Sequence, residues 1–492
     1  MLFTTLDFLI FFVLILALLF VIKYRKFQHI FLLIASYFFF YYTSNYLVIL
    51  LIYSTLMDFF IGKQIWKTQK IGNKKILLII SLVGNLGLLG FFKYADFAIL
   101  QFNYLGEQFN LASDIPFLNL ALPIGISFYT FQTISYTVDI YRGKLKPSES
   151  LREFALFVAF FPQLVAGPIV RASEFLPQLR EKLQKFETNQ KIKQIIFQNS
   201  NLKLGITLMT IGFLKKMFFA DNIAPIANEI FSNPYGLESF TIILGAIAFG
   251  LQIYGDFSGY TDIAIGAALI LGFKLPINFN KPYFATSPSD FWRRWHISLS
   301  TWLRDYLYIP LGGSRGGTRV LIIALMGTML LGGLWHGASW NFVLWGAMHG
   351  VLLLAHRWLI QIDAVKNMFN SAPKLMLVGS WITTQYFVFM TWLVFRVEDT
   401  SMMLRSLKSF MGIDAHWDQT EFIEALPEIK LLTIALVGIF IIAHGFSGKI
   451  GGFKYWLAKQ NPWIWGCCCG ALMSATFLLR PAETVDFIYF RF

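Results

Sequence analysis

The run Gly333-Leu334-Trp335-His336-Gly337-Ala338-Ser339-Trp340 sets an imidazole inside a long apolar stretch, and between Val320 and Ala355 the ionisable residues are His336 and His349. A helix starting at Val320 and rising ~1.5 Å per residue reaches His336 after about 24 Å, well inside a hydrocarbon core ~30 Å thick. Ionisable groups are costly at that depth and mark function. Neutral imidazole takes and returns protons near pH 7, so the chemistry on offer is general acid–base work. Gly332, Gly333 and Gly337 loosen the helix around it. Broken backbone at membrane depth survives only when buried in protein or lining a cavity.

A second imidazole lies 40 residues upstream, in Ser289–Tyr308. Read as one helix with Ser289 as N-cap and Pro310 as its stop, this segment is amphipathic. Trp292, Trp295, His296, Leu299, Trp302 and Tyr306 share one face; Arg293, Arg294, Ser298, Arg304 and Asp305 share the other. A basic polar face opposite an aromatic one suits an interfacial helix. His296 falls on the aromatic side, where it is either a core histidine or a partner of His336. The loop Gly312-Gly313-Ser314-Arg315-Gly316-Gly317 is a basic turn or a phosphate cradle, and it matches neither a Walker loop nor a dinucleotide fingerprint. Asp256, Tyr260 and Asp262 form a polar cluster that is expected to interrupt the apolar stretch 241–273, about 33 residues long and too long for one straight span. The two aspartates fall on different helical faces, so they do not read as an acid/base pair.

The elements that must hold these groups are membrane helices. The chain has 492 residues, 56% hydrophobic and 14% charged, with 52 phenylalanines. Its net charge of +13 reflects the positive-inside bias rather than nucleic-acid binding. The run Leu6–Ile22 lacks a basic n-region and a small-residue cleavage site, so it reads as a retained helix. Cys467, Cys468 and Cys469 are consecutive and fit apolar packing, not a metal or disulfide set. Placing the lysine and arginine clusters in the cytoplasm predicts spans near 6–22, 30–42, 45–61, 76–92, 121–137, 204–219, 240–272, 320–340, 342–356, 376–395, 429–446 and 462–479. Both termini then lie outside, and 151–168 is a candidate re-entrant loop. The polar insertions 178–203 and 396–428 read as loops or short helices. The fold class is all-α and polytopic, one domain over 1–492: N-terminal helices 1–120, a catalytic core 121–360, C-terminal helices 361–480 and an aromatic tail 481–492.

Five blocks resemble the membrane-bound O-acyltransferases, in particular the bacterial branch that modifies alginate, peptidoglycan and teichoic acid. They are LPIGISFYTFQTISYTVDIYRG (122–143), FPQLVAGPIVR (161–171), DFSGYTDIAIG (256–266), FWRRWHISLSTWLRDYLYIPLGGSRGG (291–317) and GGLWHGASWNFVLWGAMHG (332–350). The resemblance implies about 11–12 tilted helices, with re-entrant and interfacial elements, around a central funnel. It maps the catalytic histidine onto His336 and a second polar position onto His296. The implied reaction moves an acetyl group from a cytoplasmic thioester, with acetyl-coenzyme A as donor and no tightly bound cofactor or metal, toward an extracytoplasmic polysaccharide. A periplasmic SGNH-hydrolase-like acetyltransferase is the implied partner and the bacterial inner membrane the implied location.

In that scheme His336 is the general base, or carries the acyl group transiently, and His296 orients the donor carbonyl or stabilises the oxyanion. Trp335 and Trp340 shape the channel. Arg304, Asp305, Arg315, Asp256 and Tyr260 are candidate donor or substrate contacts. Tyr489, in the tail Phe487-Ile488-Tyr489-Phe490-Arg491-Phe492, is either an acyl relay or an interfacial anchor. The alternatives are D-alanyl transfer from a carrier protein, a secondary transporter and a secretion subunit. His349 stands about 220° from His336 on a continuous helix, so it joins that site only if the helix breaks.

Overall fold

The computed structural model describes residues 1–22, 25–110, 114–164, 167–184, 199–232, 234, 237, 239–413, 429–449, 452–481 and 487–488. Tyr489, the acidic segment 414–428 and much of 178–203 lie outside the described residues. Every regular element among the described residues is a helix. Helix starts are written locally by side chains that cap free backbone N–H groups. Thr5 accepts from Phe8, Ser287 from Asp290, Asp399 from Met402 and Asn461 from Ile464, with proline at the first helical position after Ser287 and Asn461.

The chain forms two compact units, Met1–Ile206 with Ala264–Pro276, and Thr207–Ile263 with Ile277–Phe492. The first holds α1 (Leu6–Val21), α2 (Arg25–Ser44), α3 (Val48–Lys67), α4 (Ile71–Gln108), α5 (Ile126–Tyr141), α6 (Leu151–Ala159) and α7 (Ala172–Gln184), and α8 (Asn199–Phe213) begins in it. A buried polar knot joins three of these helices. Asp58 of α3 accepts from Ser81 Oγ at 2.6 Å and Asn85 Nδ2 at 2.7 Å, both on α4, and Thr133 of α5 donates to Asn85 at 3.2 Å. Polar groups in an apolar medium must find partners within the protein, and these three helices supply them to one another.

The second unit holds a π-helical stretch, Leu214–Ala220, then α9 (Asp221–Ser232) and most of α10 (Ser239–Ile270). It continues through α11 (Pro288–Arg294), α12 (Ile297–Leu303), α13 (Gly317–His336), α14 (Trp340–Leu359), α15 (Asp363–Ser371), α16 (Pro373–Arg396), α17 (Thr400–Phe410), α18 (Ile429–Lys449), α19 (Phe453–Ala458) and α20 (Pro462–Leu479). Two sequence expectations are corrected here. The polar cluster 254–262 does not break α10, which runs for 32 residues. Its aspartates are neutralised from outside: Asp256 by Lys216 at 3.0 Å, Asp262 by Lys215 at 2.6 Å and Lys454 at 3.2 Å. Conversely, Ser289–Tyr308 is not one helix. It breaks at His296, whose φ of 41° is left-handed, and its capping residue is Ser287, not Ser289.

Seven helical stretches among the described residues are long and apolar enough to cross a membrane, among them Ile71–Gln108, Gly317–His336 and Pro462–Leu479, with Leu6–Val21 and Ala435–Gly445 as shorter apolar helices. Their outward faces are apolar yet exposed: Ile76, Ile79, Ile80 and Val83 on α4, Trp463, Leu478 and Leu479 on α20. In water such faces would be a liability; against lipid they are the correct surface. The protein is an all-α polytopic membrane protein.

Close backbone approach fixes the α13–α14 hairpin. A Cβ on Gly333 would collide with the Phe342 carbonyl oxygen, and one on Gly346 with that of Met329. Neither obstacle is a side chain that can turn away. Gly346→Ala is therefore expected to cost about 1–3 kcal/mol, the usual penalty for overpacking. Thermal unfolding of detergent-purified protein checks this, with Gly470→Ala, whose Cβ meets nothing within 4 Å, as the silent control.

Candidate active site

His336 is the last residue of α13, and the chain turns at Gly337–Ser339 before α14. Ser339 caps α14 by accepting from Asn341 N at 3.2 Å. Asn341 in turn donates to the carbonyls of Val397 at 2.6 Å and Glu398 at 2.9 Å, tying the turn to the end of α16. The buried His336 ring meets Trp345 edge to face at 5.1 Å and Phe395 at 5.3 Å. Trp335 completes this aromatic wall at 5.0 Å.

Trp335 also meets the second imidazole. Its ring centroid lies 5.9 Å from that of His296, so one indole touches both histidines. His296 is fully buried and packs edge to face on Phe257 of α10 at 4.6 Å. Burial pushes its pKa down, to about 3, which keeps the imidazole neutral at physiological pH. Left-handed backbone at a non-glycine residue costs about 1–3 kcal/mol and concentrates at functional sites. Here it is imposed by Asn278, which sequence reading passed over. The Asn278 carbonyl accepts from Ile297 N at 2.9 Å, and its side-chain oxygen accepts from Ser298 N at 3.1 Å and Ser298 Oγ at 2.9 Å.

The break after His336 also brings in His349, because α14 folds back along α13. His349 Nε2 lies 3.1 Å from Thr391 Oγ1, which already gives its proton to the Val388 carbonyl at 2.7 Å. The threonine hydroxyl thus lies within hydrogen-bond distance of both the imidazole and a backbone carbonyl. Its ring stacks on Phe291 and meets Trp345 edge to face at 4.6 Å. Trp345 thus bridges His349 and His336.

The remaining predicted residues are spread more widely. Tyr260 is buried on α10, its ring tilted against Phe487 of the C-terminal segment at 4.3 Å, and Phe487 lies 6.0 Å from Phe257. Asp256 Oδ2 accepts from the backbone N of Ile488 at 2.7 Å, so the same aspartate pairs with Lys216 and pins the tail. Arg304 and Asp305 pair with each other at 2.7 Å on the exposed π turn Arg304–Tyr308. Arg315 is exposed in a turn whose Gly312, Gly313 and Gly317 have positive φ. Trp340 opens α14 with 60% of its surface exposed, whereas Trp335 is buried.

Residues 144–396 match the membrane-bound O-acyltransferase family, a segment that contains both site histidines. The chain belongs to that family. The O-acyltransferase is 33% identical to the peptidoglycan O-acetyltransferase of Helicobacter pylori, over 96% of this chain and 92% of that one. It is 38% identical to the probable alginate O-acetylase AlgI of Azotobacter vinelandii, over 85% and 80% of the two chains. To the teichoic acid D-alanyltransferase of Bacillus subtilis it is 30% identical, over 49% and 60%.

The His349 contact makes a stability prediction. Thr391→Val keeps the shape but removes the hydroxyl, leaving the buried His349 Nε2 without this hydrogen bond. The transferase should lose about 1–3 kcal/mol in thermal unfolding. Thr391→Ser, which preserves the hydroxyl, should remain near the parent.

Proposed function

We propose that this membrane-bound O-acyltransferase moves acetyl groups from a cytoplasmic thioester, acetyl-coenzyme A, for O-acetylation of an extracytoplasmic polysaccharide. The carrying observation is the pair of buried histidines on one indole, His336 and His296 on Trp335. In this reading His336 is the general base. It takes the proton of the attacking hydroxyl as the oxygen adds to the thioester carbonyl. Collapse of the tetrahedral oxyanion expels the thiolate, which takes the proton back from the imidazolium. His296 donates its N–H to the carbonyl oxygen, and a neutral imidazole suits that task because its charge state does not change as negative charge develops. The aromatic wall of Trp335, Trp345 and Phe395 keeps water from the thioester.

The polysaccharide class rests on the relatives. Those named as acetylating enzymes of peptidoglycan and alginate align over 96% and 85% of this chain, the D-alanyltransferase over 49%. The proposed setting is the bacterial inner membrane, with a periplasmic SGNH-hydrolase-like acetyltransferase completing the transfer. Tyr489 is the proposed intermediate acceptor. Its phenol oxygen takes the acetyl group as an aryl ester, which a polymer hydroxyl then attacks. The support is its place in the chain, one residue beyond Ile488, which Asp256 holds, and two beyond Phe487, which shares Phe257 with His296.

His336→Ala should lower polymer acetylation by about 10²–10⁴-fold, the worth of a positioned base, while the protein still inserts. Alkali-labile acetate on isolated polymer measures this, and parental acetylation would remove His336 from the mechanism. Tyr489→Phe is expected to abolish transfer, with an acetyl adduct on Tyr489 found by mass spectrometry in the parent alone. Full transfer by Tyr489→Phe defeats the relay but not the base.

A further inference from the structure

Three lysines that the transfer mechanism does not use converge within the second unit. Lys215, from the π stretch, bonds Asp262 Oδ2 at 2.6 Å, and Lys454, from α19, bonds the other oxygen of the same carboxylate at 3.2 Å. Lys281 donates to the His444 carbonyl at 3.3 Å. His444 Nε2 lies 3.0 Å from Tyr254 Oη, and the Lys215 ammonium sits 5.7 Å above the Tyr254 ring. Tyr254 and His444 therefore join the three cations into one group. Among the described residues, the carboxylate these ammonium groups contact is that of Asp262, so the charge balance is three positive against one negative.

The site is neither buried nor open. The side chains of Lys215 and Lys454 retain 20% and 24% of their surface, that of Asp262 only 7%. The next guanidinium, Arg294, is already taken by Asp290 at 2.9 Å and brings no spare carboxylate. Partial burial, and then the Arg294 charge, push the Lys281 ammonium below the ordinary lysine range. Lys281 also holds a left-handed backbone, φ 49°, just before Pro282, so its position is fixed at a conformational cost.

We propose that Lys215, Lys281 and Lys454 form a binding site for a phosphate group. Three ammonium groups beside one carboxylate leave positive charge for an anion, and lysine ammoniums bind phosphate as point charges without demanding planar geometry. The phosphate comes either from the coenzyme end of the thioester donor, which rests on the function proposed above, or from the headgroup of an anionic phospholipid. Position favours an active role for the site. Tyr254 meets Trp295 at 6.3 Å and Phe279 at 5.7 Å, and Phe279 meets Phe257, the ring under His296, at 5.0 Å. Three rings in succession, Tyr254, Phe279 and Phe257, link the lysines to His296.

The test uses the full-length protein in phosphatidylcholine nanodiscs, titrated with coenzyme A and separately with pantetheine, which lacks phosphate. The triple change K215Q/K281Q/K454Q should weaken coenzyme A binding by roughly tenfold or more, and leave pantetheine within about twofold. A second arm exchanges the lipid for phosphatidylglycerol and follows lipid retained by the protein in native mass spectrometry. Loss of coenzyme A affinity assigns the donor as the source. Loss of retained phosphatidylglycerol at unchanged coenzyme A affinity assigns the headgroup. A variant that holds both ligands as the parent does overturns the site. K281Q alone serves if the triple variant does not fold, because Lys281 bonds a carbonyl rather than Asp262. Parental binding by the lysine variant beside an inactive His336→Ala would sink the phosphate site and leave the transfer mechanism standing.

Discussion

The arrangement around His336 and His349 depends on how closely α13 and α14 approach. Two helices whose facing positions are glycine bring their backbones together, and the side chains on either side of that contact are then fixed relative to each other. At Gly333 and Gly346 the obstacles to any larger residue are main-chain carbonyls, so the register cannot slide to accommodate one. The same contact places Trp345 against His336 three residues beyond Gly333, and puts His349 one turn further on against Trp345. Hydrogen bonds from Asn341 to Val397 and Glu398 then lock the connecting turn. The geometry of the imidazoles is thus set by main-chain packing, which yields far less than a flexible side chain would.

Neutralisation of α10 follows the same logic. A helix carrying Asp256 and Asp262 through an apolar core stays helical only if its charges are met there, because uncompensated buried charge costs several kcal/mol even after relaxation. The π stretch supplies consecutive lysines, Lys215 to Asp262 and Lys216 to Asp256 and Asp221. Wide turns of this kind are found preferentially at functional sites, and here the irregularity serves three ion pairs at once. Gly212 and Gly259 let the two segments touch closely enough for those pairs to form. Asp256 has a second duty at the backbone of Ile488, so the charge balance of α10 and the anchoring of the C-terminal segment are one network.

Much of this was legible in the sequence. The apolar runs, the glycine-broken surroundings of His336 and the lysine clusters each follow from composition and spacing, and they led to a polytopic helical protein with a buried imidazole at its centre. What escaped was set by distant residues. The continuity of α10 was invisible because the partners of Asp262 lie 47 and 192 positions away. The break at His296 was missed because its cause, Asn278, sits in an irregular segment with no periodic signal. For His349 the sequence left the outcome conditional on a helix break, and the break at Gly337–Ser339 supplies it. Side-chain periodicity reports which face an element buries; it carries no information about where a turn sends the next element.

The hydrogen-bond inventory around His349 constrains the chemistry of its neighbours. Thr391 Oγ1 sits between His349 Nε2 and the Val388 carbonyl, so the ring nitrogen is tied to α16 through one hydroxyl. A histidine bonded to Thr391, stacked on Phe291 and packed against Trp345, cannot turn without displacing the indole that packs on His336. Packing on rigid aromatics, Trp345, Phe395 and Trp335, holds the His336 ring in one orientation. The aromatic density of this core is therefore a functional choice as well as an apolar one: flat, stiff groups with few rotamers position two imidazoles where flexible aliphatic side chains would let them drift.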